Sequence, residues 1–168
     1  MMYSVGDYVV KANNGVCRVE DIVHLDVSGA SKDKQYYLLI PQADKSAKLY
    51  VPVDTTSTSI RSVMSEEGAW SIIEKIPDID EAWIANDKLR EQEYREALKS
   101  CDPELLVGII KNIYLRKKKR LSEGKKSTSV DDRYFRLAEQ ALYSELAFAI
   151  GRDPEEIDQI IQDKINKR

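Results

Sequence analysis

Histidine is almost missing from this 168-residue chain, with His24 alone. Cysteine is scarce as well: Cys17 and Cys101 lie far apart, and neither has a second cysteine near it. Zinc sites and disulfide frameworks need closely spaced ligands, so both residues read as buried free thiols. His24 falls inside a strand-like run and reads as an ordinary strand histidine rather than a catalytic or metal-binding one. No glycine-rich phosphate loop, nucleophile elbow or metal-ligand spacing occurs. Acids are plentiful, and Asp78, Asp80 and Glu81 could imitate a carboxylate site. Acids at a helix start, where they favour its dipole, explain them better. The chain therefore reads as a non-enzyme with no cofactor and no metal. No run approaches the roughly 18 apolar residues that span a bilayer. The opening Met1-Met2-Tyr3-Ser4-Val5 lacks a basic-then-apolar signal, so a soluble, cytoplasmic protein is expected. Heptads are absent, which leaves a monomer as the default expectation. A global excess of positive charge is missing too. With a net charge of -3, any affinity for nucleic acid must come from local clustering.

What is present changes character near Val63. Before it, short strand-like runs alternate with turns. Gly6-Asp7 opens a strand from Tyr8 to Lys11, Asn13-Asn14-Gly15 is a turn, and a second strand runs from Val16 to about Asp26. The apolar parity of that strand slips near Glu20-Asp21, which predicts a bulge or sharp bend. Ser28-Gly29-Ala30-Ser31 reads as a loop, and the continuous apolar run Tyr36 to Ile40 is expected as a central strand. From Ala47 to Val53, Leu49, Val51 and Val53 share one face, while Lys48 and Tyr50 share the other. A short strand near Ile60-Arg61 would close a small, strongly curved barrel.

After Val63 the pattern is helical. One helix starts at Ser65-Glu66-Glu67 and ends before Pro77, and a second is expected from Asp80 to about Ser100. Asp102-Pro103-Glu104 starts a third, with Leu105, Leu106, Ile109, Ile110 and Ile113 as its apolar stripe. Ser122 to Ser129 is a polar loop. A fourth helix carries Leu137, Ala138, Ala141, Leu142, Leu146, Ala149 and Ile150 and ends at Gly151. Asp153-Pro154-Glu155 starts a short last one. The expected fold class is α+β: a small β-barrel over residues 1–63, then a compact all-α domain of about five helices over residues 64–168.

Three constellations suggest function. The first is basic: Lys111, Arg116, Lys117, Lys118, Lys119 and Arg120, followed by Lys125 and Lys126. Five consecutive cations wrap more than a helical turn, so they cannot all face a core. Such a cluster suits sequence-independent contact with phosphates. The plainer reading is that cations at a helix C-terminus complement its dipole, for which one or two suffice. The second is Trp83, beside Asn86, Asp87, Lys88 and Arg90 on a poor apolar stripe. It is either a core tryptophan or an exposed wedge against DNA bases. The third is the outward strand face of Lys48 and Tyr50, with Leu25 and Tyr36 as neighbours. A barrel edge there can pair with another protein's strand, or these positions are simply solvated.

Taken in order, Val5-Gly6-Asp7-Tyr8-Val9-Val10, Asn14-Gly15-Val16, Tyr36-Tyr37-Leu38, Tyr50-Val51-Pro52 and Ile60-Arg61 resemble the opening module of CarD/CdnL-type bacterial transcription regulators. The same module resembles the polymerase-interacting domain of transcription-repair coupling factors. The helical half is similar too, with its early tryptophan, its helix after Cys101-Asp102, its basic stretch, and then Ala138-Glu139-Gln140-Ala141-Leu142 and Glu145-Leu146-Ala147. The resemblance implies a Tudor-like barrel that docks on the β subunit of bacterial RNA polymerase. It also implies a helical domain that contacts promoter DNA at the upstream edge of the bubble, with Trp83 as the match to a wedging tryptophan. It implies a polymerase face of Leu25, Tyr36, Lys48, Tyr50, Val51 and Pro52. The DNA face would be Trp83, Lys88, Arg90, Arg116, Lys117, Lys118, Lys119, Arg120, Lys125 and Lys126. Family members can place arginines on the polymerase face, where this chain has Leu25 and Tyr50. A more aromatic, less salt-sensitive contact is expected. Asp87, close behind Trp83, is expected to repel phosphate. The expected function is a nucleoid-associated transcription regulator that modulates open-complex stability. The alternative is a protein-only adaptor whose helical domain touches no nucleic acid.

Overall fold

In the computed structural model the described residues are 3–25, 34–54, 60–82, 84 and 86–166. The chain divides into two compact units, Met1–Val63 and Met64–Arg168. Asp26 and the expected loop at Ser28 to Ser31 lie outside the described residues. Among those described, the architecture is α+β: an antiparallel sheet followed by helices.

The strands are β1 (Tyr8–Lys11), β2 (Gly15–His24), β3 (Gln35–Pro41), β4 (Leu49–Pro52) and β5 (Ile60–Ser62). They form one sheet in the order β4-β3-β2-β1-β5, with every pair antiparallel. The strand expected at the centre, β3, is interior, but β2 occupies the middle. The β1–β2 turn takes positive φ at Asn13 (68°) and Gly15 (71°), and Asn14 N–H closes it on Lys11 O at 3.0 Å. The β2–β3 register shifts between Val19 and Asp21, where the apolar parity slips. That bulge lets the long β2 bend, so the sheet curls over its own apolar face. The small, strongly curved barrel expected from sequence is a curled five-stranded half-barrel, with β4 and β5 as its outer strands among the described residues.

The concave face buries Val9, Cys17, Val19, Tyr37, Leu39 and Val51, with Tyr3 laid over them. Tyr3 N–H donates to the buried Tyr37 hydroxyl at 3.1 Å, and the two rings meet edge to face at 5.7 Å. Burial pushes the Cys17 thiol up to about 11, against a smaller opposing pull from Lys11, so it is not a reactive thiolate.

The helices are α1 (Glu66–Lys75), α2 (Arg90–Ser100), α3 (Pro103–Ser122), α4 (Ser129–Ile150) and α5 (Pro154–Asn166). Ser65, Asp102 and Thr128 cap α1, α3 and α4 through their side-chain oxygens. Gly151 ends α4 in the left-handed region at φ 78°. Ile73, Ile76, Tyr94, Ile110, Ile113, Leu142, Leu146, Ile157 and Ile161 are fully buried between them. Among the described residues no helix is long and apolar enough to cross a membrane.

The helix expected from Asp80 begins only at Arg90. A 3-10 turn at Ile76–Asp78 follows α1, and a second one, Asp87–Leu89, leads into α2. Two contacts, one local and one from α3, accompany the later start. Asn86 accepts from the Lys88 and Leu89 amides through its side chain, which starts the helix there. The Ala82 amide binds Gly108 O at 2.9 Å and its carbonyl accepts from Asn112 Nδ2 at 3.0 Å, so both of its main-chain groups are tied to α3. Asp78, Asp80 and Glu81 are therefore exposed acids in or beside the connecting stretch, not the first turn of an α-helix.

Gly108 permits that approach. A Cβ on it would stand 3.3 Å from Asp80 O and 3.5 Å from Ala82 N, both main-chain atoms. In an ordinary helix interior, Gly→Ala gains up to about 1 kcal/mol. Gly108→Ala is expected instead to lower the thermal midpoint of the full chain, as measured by calorimetry. A higher midpoint would show that the 80–82 stretch yields freely.

Candidate nucleic-acid interface

The basic run lies on one continuous helix, because α3 extends to Ser122. Its cations divide by what they touch. Lys111 is buried and its ammonium donates to Ile79 O, so it holds the connecting stretch. Lys117 pairs with Asp132 at 2.9 Å and lies 4.5 Å from the Phe135 ring centre. Arg120 Nε donates to Lys126 O at 2.9 Å and closes the α3–α4 loop. Lys125 reaches Glu123 at 3.6 Å, an exposed pair of small energetic worth. The ammonium groups of Lys88, Lys118, Lys119 and Lys126 make no ion pair or hydrogen bond among the described residues, and all four residues are exposed. Lys118 also borders a shallow groove of about 250 Å³ lined by Glu81, Lys111, Tyr114, Leu115, Ile165 and Asn166. Trp83 lies outside the described residues.

Arg90 and Arg116 belong to a different structure, an internal polar network. Arg90 Nε donates to Asp87 Oδ1 at 3.0 Å, and its Nη1 reaches the Tyr94 hydroxyl at 3.0 Å and Asn112 Oδ1 at 2.8 Å. Arg116 Nη1 donates to the same Asp87 oxygen at 3.0 Å. Arg116 Nε stands 2.8 Å from Asp131 Oδ2, and that ion contact is all that satisfies either atom. Tyr94 donates its hydroxyl proton to Asp131 Oδ1 at 2.9 Å. Asn112 Nδ2 donates to Ala82 O at 3.0 Å. Exposure runs from Asp87, 74% open, through Arg116 at 24%, to Asp131 at 0%.

Two carboxylates and two guanidinium groups cancel in this network. Hydrogen bonds from Arg90 and then Arg116, with their charges, hold the Asp87 carboxyl below the usual carboxylate range. Asp87 is thus an anion already neutralised by two cations, and its expected repulsion of phosphate is muted. Burial, with Asp131 adding to it against an opposing Arg90 hydrogen bond, pushes the Tyr94 hydroxyl up to about 12, so it stays a proton donor.

In the β unit, register places Tyr36 opposite Pro52 and Leu38 opposite Tyr50. Opposed residues share a face, so these four form one convex patch on β3 and β4. Tyr50 is the open member, 44% exposed, and Lys48 beside it is exposed. Leu25, Tyr36 and Pro52 are half-buried. Val51 points the other way, into the core, at 4% exposure. Any contribution it makes to an interface must come through its main chain. β4 is an edge strand, so its outer main-chain groups have no strand partner among the described residues.

Residues 3–64 match the family model described as the CarD-like/TRCF RID domain, and residues 72–162 match the CarD C-terminal domain. The chain belongs to the CarD-like family. Both halves match, in that order, so membership rests on the pairing of the modules and not on one motif. This makes the chain a CarD-type, transcription-related protein.

Reading the sequence for this CarD-like chain did not single out Asn112, Tyr94 or Asp131. Asn112 left a trace, since Lys111-Asn112 interrupts the apolar run from Leu105 to Ile113. Asp131 left none, because an acid in the first turn of a helix is ordinary.

Glu139 on α4 carries a further electrostatic feature. Burial, with the nearby Asp158 charge adding to it against Lys117, raises its carboxyl from the usual 4.5 to about 7. Between those two values the folded state binds more protons than the unfolded one, so stability falls as pH rises through that window. Glu139→Gln is expected to flatten the fall in thermal midpoint between pH 5 and pH 7 (about the two bounding values) and to be the more stable form above it. A wild-type midpoint that rises across that window would refute the assignment.

Proposed function

We propose that this CarD-like chain regulates bacterial transcription initiation by joining RNA polymerase to promoter DNA. The β unit docks on the polymerase β subunit through the β4 edge and its convex patch, with Tyr50 as the central side chain. The helical unit contacts DNA without reading its sequence, through Lys88, Lys118, Lys119 and Lys126, with Lys117, Arg120 and Lys125 at the margin and Trp83 as the wedge. The chain works as a monomer in the cytoplasm, at the nucleoid. One observation supports the reading most: a match to a polymerase-interacting module is followed by a helical unit whose lysines on α3 and the loop after it are exposed and unpaired among the described residues. Contacts made only in the open complex shift the closed–open equilibrium, and about 1.4 kcal/mol of such preference shifts it tenfold.

A protein-only adaptor is the second reading. It is favoured by the cancellation of Arg90 and Arg116 within their own network, and by Leu121 and Leu115, which are exposed beside the lysines.

Salt titration separates the two readings. Each lysine in contact with a phosphate adds roughly one to the slope of log affinity against log salt. The double variant Lys118→Glu/Lys119→Glu is expected to lower that slope by about two and to leave polymerase capture intact. Unchanged DNA binding would favour the protein-only adaptor. Tyr50→Glu in the full chain is expected to abolish capture of purified polymerase and to leave free-DNA binding unchanged. Capture at wild-type strength would move the docking face elsewhere.

A further inference from the structure

We propose that Asp87, Arg90, Asn112 and Arg116 are positioning residues. They hold the described residues between Ile79 and Arg90, on either side of position 83, in one arrangement, and neither arginine is itself a phosphate contact. The inference rests on the DNA-contact reading above and assigns its geometry to a specific clamp.

Tethers flank Trp83 on both sides. Ahead of it, both main-chain groups of Ala82 are bound by α3: the amide by Gly108 O at 2.9 Å and the carbonyl by Asn112 Nδ2 at 3.0 Å. Lys111 holds Ile79 O one step earlier. Beyond it, Asp87 receives Arg116 from α3 and Arg90 from α2, both at 3.0 Å. Arg90 also binds Asn112 Oδ1, so the tethers on the two sides meet at one asparagine. Gly108, Asn112 and Arg116 follow at four-residue spacing along α3, which sets them on one helix face. Among its described residues, the stretch they hold has no regular structure of its own before Asp87. A guanidinium that must satisfy a fully buried Asp131 and a surface Asp87 together has little freedom to turn toward a phosphate.

The sign of one substitution decides the matter. If Arg90 and Arg116 contacted phosphate, removing the acid that occupies them would strengthen DNA binding. If they position the stretch, removing it releases the stretch. Asp87 is the end to alter, because Arg116→Ala would strand the buried Asp131 carboxylate. Arg116→Lys is the second variant, since it keeps the cation and loses the planar fork.

The experiment uses the full chain with purified RNA polymerase and a linear promoter duplex. In free protein, Asp87→Ala is expected to speed hydrogen exchange at the Ala82 and Leu89 amides. Both variants should shorten open-complex lifetime several-fold, while the salt slope for duplex binding stays at the wild-type value. A lost phosphate contact would lower that slope by about 0.9. Higher DNA affinity in Asp87→Ala, a lower slope in Arg116→Lys, or unchanged exchange at Ala82 and Leu89 would each overturn the proposal. If exchange quickens but Lys118→Glu/Lys119→Glu leaves DNA binding intact, the clamp stands as a holder of the stretch and the DNA-contact reading is what fails.

Discussion

Asp131 has no exposure to solvent, and a carboxylate buried there alone would cost several kcal/mol. Arg116 meets it from α3 and Tyr94 meets it from α2, so three helices must come together before that charge is tolerable. The same guanidinium then reaches outward to Asp87. Because the inner contact fixes Arg116, the outer one can fix Asp87 and the chain beside it. A hydrophobic core alone packs helices without dictating where an irregular connecting stretch lies. Here a polar network ties the described residues beside Asp87 and Ala82 to α3, with Arg116 Nε and Asp131 Oδ2 held to each other by an ion contact alone.

The packing required by Asp131 also explains why basic residues in one run behave differently. Along α3 the helical repeat turns Asn112 and Arg116 toward the network, while Lys118 and Lys119 turn to solvent. Sequence reading grouped them by charge. The structure groups them by helical angle, and angle decides whether a cation is committed inside the fold or open to a partner.

Most of the fold was legible because its signals are local. Asn13-Asn14-Gly15, the parity slip at Glu20-Asp21, Asp102-Pro103 and Gly151 each act within a few residues, and each does in the structure what its chemistry implies. The start of α2 was misplaced for the opposite reason. Residues 80–86 are helix-permissive in sequence, but Ala82 is tied to Gly108 and Asn112 of α3, more than twenty positions away. The candidate site shows the same division. Lysines on a helix end can be seen in sequence, but Asp87 read as a repulsive acid because its two guanidinium partners come from separate helices.

The electrostatics bear on why two modules share one chain. The network contributes no net charge, the whole chain carries -3, and the open lysines placed on the DNA face are Lys88, Lys118, Lys119 and Lys126. A handful of phosphate contacts gives weak, strongly salt-dependent affinity for free DNA. On the proposed reading, that weakness is useful only if the helical unit is first brought to its promoter. In that reading, docking of the β unit would do this by turning the DNA contact from a bimolecular encounter into one at high effective concentration. A contact too weak to hold the chain on bare DNA then still suffices to favour one state of a polymerase–promoter complex over another. Stronger DNA binding would distribute the chain along DNA without polymerase, and the discrimination between complex states would be lost in equal affinity for all of them.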